Sequence, residues 1–290
     1  MISFKSIVHP TDFSEASINA YRFAVEIARL TSCDLILAHV YEKPYYSVIS
    51  ETSASFSLAV DTQEDAKIRQ AIREQMVKLT QMDFAAGVRI YEKLITDIPA
   101  WKFYEDSAVQ KTDLIVMGTR GATGIYHGGI VGTNAERVIR HSPIPVLSVP
   151  TGANFTGIKQ ILLATDFQDP LDNIMPWVIT FCRMFDAELY VGIINTMNNF
   201  STTKFAEENY AALQKNYELP EKTKLVVYNE KSVEDGIVHL CLDYGIDLIA
   251  MLIHGRTGFA HFLKGSIAED IAANLRVAPL LTVKNSPARS

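Results

Sequence analysis

The chain is poor in several features that would mark common classes. It has three cysteines in 290 residues, Cys33, Cys182 and Cys241. An odd number, so widely spaced, fits neither a disulfide framework nor a zinc site. Each is expected to be a plain buried thiol, and the compartment a reducing cytoplasm. Positive charge is scarce: 27 Lys and Arg against 33 Asp and Glu give a net charge of −6. An acidic chain without a basic run disfavours DNA or RNA as partner, but does not bear on one nucleotide in a local pocket. No apolar run reaches the roughly 18–20 residues that span a bilayer, so no membrane partner is expected. The opening MISFKSIVHPTDFSE is apolar only briefly and is not expected to act as a secretory signal. No heptad pattern is sustained. No GxxxxGK[ST] loop exists, and Lys264-Gly265-Ser266 has those residues in the wrong order. Neither half carries GxGxxG after its first strand. What remains is an ordinary globular composition, 48% hydrophobic and 21% charged, with material for two cores.

The chain repeats itself. Thr11-Asp12-Phe13 returns as Thr165-Asp166-Phe167, an offset of 165 − 11 = 154, and the same offset aligns Asn19 with Asn173, Phe23 with Trp177, Arg29 with Arg183 and Leu35 with Leu189. Later, DLIVMGTRG from Asp113 is matched by DLIAMLIHG from Asp247, and PIPVLSVP by APLLTV. One unit has been written twice, as domains 1–150 and 151–290, with Pro150–Gly157 as the linker.

Each unit alternates strand and helix. In the first, Ser6–Val8 starts a strand, and Ser14 can cap a helix carrying Ile18, Phe23, Ile27 and Leu30 at helical spacing. Strands follow at 35–40, 88–93, 114–117 and 146–149. Helices are expected at 61–84, with Ile68, Ile72, Met76 and Leu79 on one face, at 98–110 and at 135–140. The second unit has a strand at 224–228 and helices near 205–217 and 234–244. The continuous apolar run at 114–117 suits a parallel sheet covered on both faces. The fold class is therefore α/β: two tandem flavodoxin-like, doubly wound units, each a mostly parallel five-stranded sheet.

Ligands of such sheets bind beyond the carboxyl ends of the strands, where the strand order reverses. The first strand runs into Pro10-Thr11-Asp12, and the fourth into Met117-Gly118-Thr119-Arg120-Gly121. If the two are neighbours, Asp12 faces a glycine loop across the crevice and can accept hydrogen bonds from a ribose or an amine. Glycines let backbone N–H groups approach a phosphate, and Gly132-Thr133 adds amides and a hydroxyl at a helix start.

The combination of strand-TD, GTRGATG, GT before a helix and PIPVL resembles the universal stress protein family, in its tandem-domain form. The resemblance covers nearly the whole chain apart from the loops near 44–60 and 196–206. It implies ATP or a related adenine nucleotide bound in one or both units, with Mg²⁺ arriving on the phosphates. The family's nucleotide-binding pattern is glycine, two residues, glycine, nine residues, then glycine with Ser or Thr. Carried over, it falls on Asp12, Val40, Gly118, Gly121, Gly132 and Thr133, and in the second unit on Asp166, Ile194, Gly255, Gly265 and Ser266. Both units depart from it. Ten residues separate Gly121 from Gly132, and Leu252 replaces the leading glycine of the second unit. The resemblance also implies that the two units join through their last strands, and it allows a homodimer.

Other polar residues have plainer readings. Arg120 and Arg256 flank glycines and could pair a phosphate or stay solvated. His127, His254 and His261 read as loop histidines, although His254 could reach a phosphate. His9 and His39 are expected to pack, and Asp61, Glu64 and Asp65 to favour a helix N-terminus. No nucleophile, base and orienting acid fall into a triad, so an enzyme with real turnover is the weakest reading and any hydrolysis is expected to be slow. The leading expectation is a nucleotide-binding stress-response regulator. The alternative is a module for protein interaction or dimerisation without nucleotide, and the rather apolar segment 44–60 is assigned a packing or interaction role.

Overall fold

The computed structural model describes residues 2–42, 63–119, 133–253 and 278–285, with the backbone of two further strands at 46–49 and 55–58. The first unit runs β1 (Ser6–Pro10), α1 (Glu15–Thr31), β2 (Asp34–Tyr41), β3 (Tyr46–Ile49), β4 (Ser55–Leu58), α2 (Gln63–Thr80), β5 (Ile90–Thr96), β6 (Leu114–Gly118), α3 (Thr133–His141) and β7 (Val146–Val149). The second runs β8 (Gln160–Ala164), α4 (Met175–Phe185), β9 (Glu188–Asn195), α5 (Thr203–Asn216), β10 (Lys224–Asn229), α6 (Val233–Tyr244), β11 (Leu248–Ile253) and β12 (Leu280–Lys284).

Ten strands form one sheet in the order β10-β9-β8-β11-β12-β7-β6-β1-β2-β5. Within each unit every neighbouring pair of this sheet is parallel, and, counting only its strands, the unit's own order is 3-2-1-4-5. This differs from the 2-1-3-4-5 order of a flavodoxin-like sheet, but it makes the first and fourth strands neighbours, as the crevice argument requires. Among the described strands of this ten-stranded sheet, the one antiparallel contact is β7 with β12, where Leu281 lies opposite Leu147. Because that contact reverses the strand direction, the carboxyl ends of the two units' strands lie at opposite ends of the sheet.

Alternation along the strands explains the layers. Ile7, Leu35, Leu37 and Val116 face α1 and α2, in a core that continues through Ile161, Leu163 and Val191 under α4. On the other face, Val8, Ile115 and Met117 pack against Phe103, Val138 and Ile139. There, in the second unit, Leu162, Tyr190 and Met251 meet Ile237 and Leu240 of α6. The linker takes part: the Phe155 ring stands edge-on between Phe23 of α1 and Phe185 of α4, at 5.2 Å from each.

Several expectations need correction. The helix at 98–110 is two 3₁₀ segments, Ala100–Glu105 and Val109–Lys111, because the Asp106 side chain accepts the Ala108 N–H and competes with the helical ladder. Helix α2 ends at Thr80, and Ile68 is exposed; Asp65 takes the inward position instead, accepting from Tyr41 Oη at 2.6 Å and Arg69 Nη2 at 2.9 Å. Leu30, at the end of α1, is also exposed. Within the segment 44–60 the strands β3 and β4 pair antiparallel, which leaves its expected packing or interaction role untouched.

Candidate functional site

The two TDF turns are built alike. Thr11 N–H donates to Ala38 O at 2.8 Å, and Thr165 N–H to Gly192 O at 3.0 Å, tying each turn to the second strand of its unit. Thr11 Oγ1 and Thr165 Oγ1 accept the N–H of Phe13 and Phe167, whose φ angles are 63° and 57°. That left-handed step turns the chain out of the strand and leaves the aspartate at its carboxyl end. Asp12 Oδ1 accepts from Ser14 N–H at 3.1 Å, and Asp166 Oδ1 from Gln168 N–H at 3.0 Å. The fourth strands are anchored alike at their amino ends. Asp113 Oδ2 accepts from the N–H groups of Lys5 and Ser6, and Asp247 Oδ2 from those of Lys159 and Gln160.

Beyond the turn the copies diverge. In the first unit Ser14 caps α1: its Oγ accepts from Ser17 N–H at 3.2 Å and donates to Asp12 Oδ1 at 2.6 Å. Helix α1 therefore begins immediately, and its first turn lies against the end of β6. A Cβ on Gly118 would stand 3.0 Å from Ala16 O, so this glycine is required for close approach of strand and helix. Gly118 thus sits at the expected place, with a packing role that the sequence reading did not assign to it. In the second unit Pro170 occupies the position matching Ala16, and α4 starts only at Met175, with no side-chain cap. Proline keeps the preceding Asp169 away from helical geometry. Leu252 replaces Gly118 and lines the space that opens there.

Beneath the first TDF turn lies a buried polar group with no counterpart in the second. His9 is fully buried. Its Nδ1 donates to Val116 O at 2.8 Å, and Ser17 Oγ lies 3.2 Å from its Nε2 and 2.9 Å from Thr11 Oγ1. Burial lowers the His9 pKa to about 4, against the opposing pull of the Val116 carbonyl and the Asp12 charge. His39 Nδ1 donates to Thr11 O at 2.8 Å, and its ring stacks on Phe13 at 4.7 Å; burial lowers its pKa as well. Both histidines pack, as expected. At the offset of 154 the second unit has Leu163, Leu171 and Ile193 in place of His9, Ser17 and His39.

Pro10 ends β1 opposite Ala38, and Val40 lies on β2 opposite Ile95. Met117 and Gly118 end β6 beside Ser148 and Val149 of β7 in parallel register. The structure thus brings Asp12, Met117 and Gly118 to one edge around the first turn of α1. Thr133 is the first residue of α3. Gly121, Gly132, Gly255, Gly265 and Ser266 lie outside the described residues, as do Arg120, Arg256, His127, His254 and His261.

The second crevice contains a cavity of about 290 Å³. Asp166 and Ile194, both expected at the site, line it together with Leu171, Ile237, Met251 and Leu252. The contribution of α6, through Val233, Glu234 and Ile237, was not foreseen. Its signal is topological: the helix before the fourth strand starts at the carboxyl edge of a doubly wound sheet.

The remaining candidate chemistry is quiet. Cys33 and Cys182 are buried and Cys241 is half-buried. Burial pushes the thiols of Cys182 and Cys241 up to about 12, and that of Cys33 upward, so none is a ready nucleophile. Among the described residues no group of three His, Cys, Asp or Glu could hold a metal ion, and no helix is long and apolar enough to cross a membrane.

Compared with known proteins, the sequence matches the Universal stress protein family twice, over residues 3–150 and 157–284. Universal stress protein MJ0531 of Methanocaldococcus jannaschii is 32% identical over 147 residues, which cover 50% of this chain and 82% of that protein. Universal stress protein Slr1230 of Synechocystis is 27% identical over 172 residues, 59% of this chain and 58% of the relative. Among solved structures, a universal stress protein from Archaeoglobus fulgidus superposes with a TM-score of 0.70 over 98% of this chain and 100% of that one. At 16% identity that likeness concerns the fold alone.

Proposed function

The chain belongs to the universal stress protein family and carries its domain twice, and from that premise we propose a cytoplasmic stress-response regulator that binds ATP or a related adenine nucleotide. The units are residues 1–150 and 151–290, paired within the chain, and the first unit's crevice is the primary nucleotide site. The observation that carries this reading is the adjacency of β1 and β6, with Asp12 fixed by Ser14 beside the end of β6. A carboxylate held there suits a ribose hydroxyl. The backbone at Val40 would receive the base, and Gly118, Gly121, Gly132 and Thr133 the phosphates. Magnesium would come with the phosphates. In this reading the nucleotide acts as a bound signal, and any hydrolysis is slow.

Thermal-shift titration with ATP–Mg²⁺, with equilibrium dialysis alongside, tests this. Nucleotide at ten times its Kd stabilises by about 1.4 kcal/mol, and Asp12→Asn should weaken binding several-fold. No shift at millimolar ATP refutes the reading.

One observation favours a second reading, an interaction or dimerisation module without nucleotide: Leu252 stands in the wall of the second crevice where the first unit has glycine. Mass spectrometry of protein purified without added ATP separates the two, since co-purified adenine nucleotide is expected only under the first.

A further inference from the structure

We infer that the crevice of the second unit is a separate binding site for a compact amphipathic organic cation, an apolar ring or chain bearing a protonated amine, and not for a nucleotide. The inference goes beyond the proposed function and does not depend on it.

The size and lining of the cavity come first. At about 290 Å³ it lies at the small end of the roughly 300–1,000 Å³ typical of ligand pockets. Its wall is apolar: Leu171, Ile194, Ile237, Met251 and Leu252. Two of these are the second unit's own departures. Leu252 stands for Gly118, and Leu171 for Ser17. The delayed start of α4 leaves room that α1 fills in the first unit, and the second unit has turned that room greasy.

Charge at the mouth comes second. Asp166, Asp169 and Glu234 line the same cavity, and no lysine or arginine does so among the described residues. Each acid has a local role as well. Asp166 accepts the Gln168 N–H, Asp169 accepts Asn285 Nδ2 at 3.1 Å, and Glu234 sits in the first turn of α6. Asp166 and Glu234 thereby bring two carboxylates to one apolar cavity. Carboxylates at the rim of an apolar cavity attract a cation.

The surroundings of the mouth come third. The turn after β9 contributes Asn199 to the lining, and the same turn leaves Met197 97% and Phe200 71% exposed. Large apolar side chains held in water beside a pocket mouth are suited to covering the body of a ligand. An amine placed at Asp166 and Glu234, with its ring among Ile194, Ile237 and Leu252, uses all three features.

The test uses the full chain and two indoles that differ in the sign of their charge, tryptamine and indole-3-propionate. Both are titrated at low salt by calorimetry and by ligand-observed NMR. Tryptamine should bind once per chain, at least tenfold more tightly than the propionate, and more weakly as salt rises. The variant Asp166→Asn/Glu234→Gln removes charge without volume and should abolish the preference. Ile237→Trp, which fills the cavity, should abolish binding of both indoles. Equal affinity for the two, no tryptamine binding at 10 mM, or an unchanged preference in the Asn/Gln variant would overturn the inference. So would competitive displacement of tryptamine by ATP. ATP binding nowhere while tryptamine binds would instead sink the proposed function and leave this site standing.

Discussion

Acid should find the first unit through His9. This ring is fully buried, with Nδ1 donating to Val116 O, Ser17 Oγ at Nε2 and the Tyr21 ring 5.4 Å away. Burial lowers its native pKa to about 4, from the ordinary histidine value of 6.5. Above pH 6.5 both folded and unfolded chains hold the ring neutral, and it contributes nothing to pH dependence. As pH falls below 6.5 the unfolded chain takes a proton that the native state refuses, so stability is lost. The loss ends only near pH 4, where the native ring also titrates. At 1.36 kcal/mol per unit the whole window is worth about 3 kcal/mol, and roughly 2–3 kcal/mol of it is gone by pH 4.5. The control is His9→Leu/Ser17→Leu, which installs the residues that the second unit carries at Leu163 and Leu171. Urea unfolding of both proteins at pH 7.5 and pH 4.5 isolates the His9 contribution, because the carboxylates and His39 titrate in each. The wild type should lose roughly 2–3 kcal/mol more than the variant over that interval. Parallel losses in the two proteins would refute the reasoning, whatever the variant's absolute stability.

Gly118→Ala places a methyl 3.0 Å from Ala16 O and 3.1 Å from Ala16 C, both backbone, so the first turn of α1 must move. A loss of roughly 1–3 kcal/mol in thermal unfolding is expected, and an unchanged midpoint would mean that the close approach is wrong. Phe155→Ala removes the ring between Phe23 and Phe185 and should cost roughly 2–3 kcal/mol, below the 3–5 kcal/mol of a fully buried phenylalanine. Amide exchange should quicken in α1 and α4 together; a response confined to one helix would deny the linker its bridging role.

Much of this architecture was legible because the sequence states it twice. The repeat predicts that Thr11 and Thr165, 165 − 11 = 154 apart, do the same work, as do Asp113 and Asp247, 247 − 113 = 134 apart, and their hydrogen bonds agree. Strand positions were legible from apolar runs such as Leu114–Met117. The 3₁₀ segments after Pro99 were not, because a single Asx turn at Asp106 outweighs a helical pattern. Gly118 was read as a phosphate glycine, and its packing against Ala16 needed the relative placement of β6 and α1. The second cavity was hidden for a similar reason. In one dimension Leu252 is only the replacement of a glycine, yet Pro170 and the late start of α4 open the space that the leucine lines. The contrast of His9, Ser17 and His39 with Leu163, Leu171 and Ile193 was available from the alignment of the halves, and only burial gave it meaning.

The antiparallel contact between β7 and β12 has a consequence for how this polypeptide behaves in solution. An isolated half would present Val146–Val149 or Leu280–Lys284 as a bare edge, ready to template onto any complementary strand. Tethering the halves through residues 150–159 replaces a bimolecular encounter by an internal one at high effective concentration. Assembly of the central sheet is thereby freed from the amount of protein in the cell, and among the described strands of that sheet β5 and β10 are the outer borders where another chain could add.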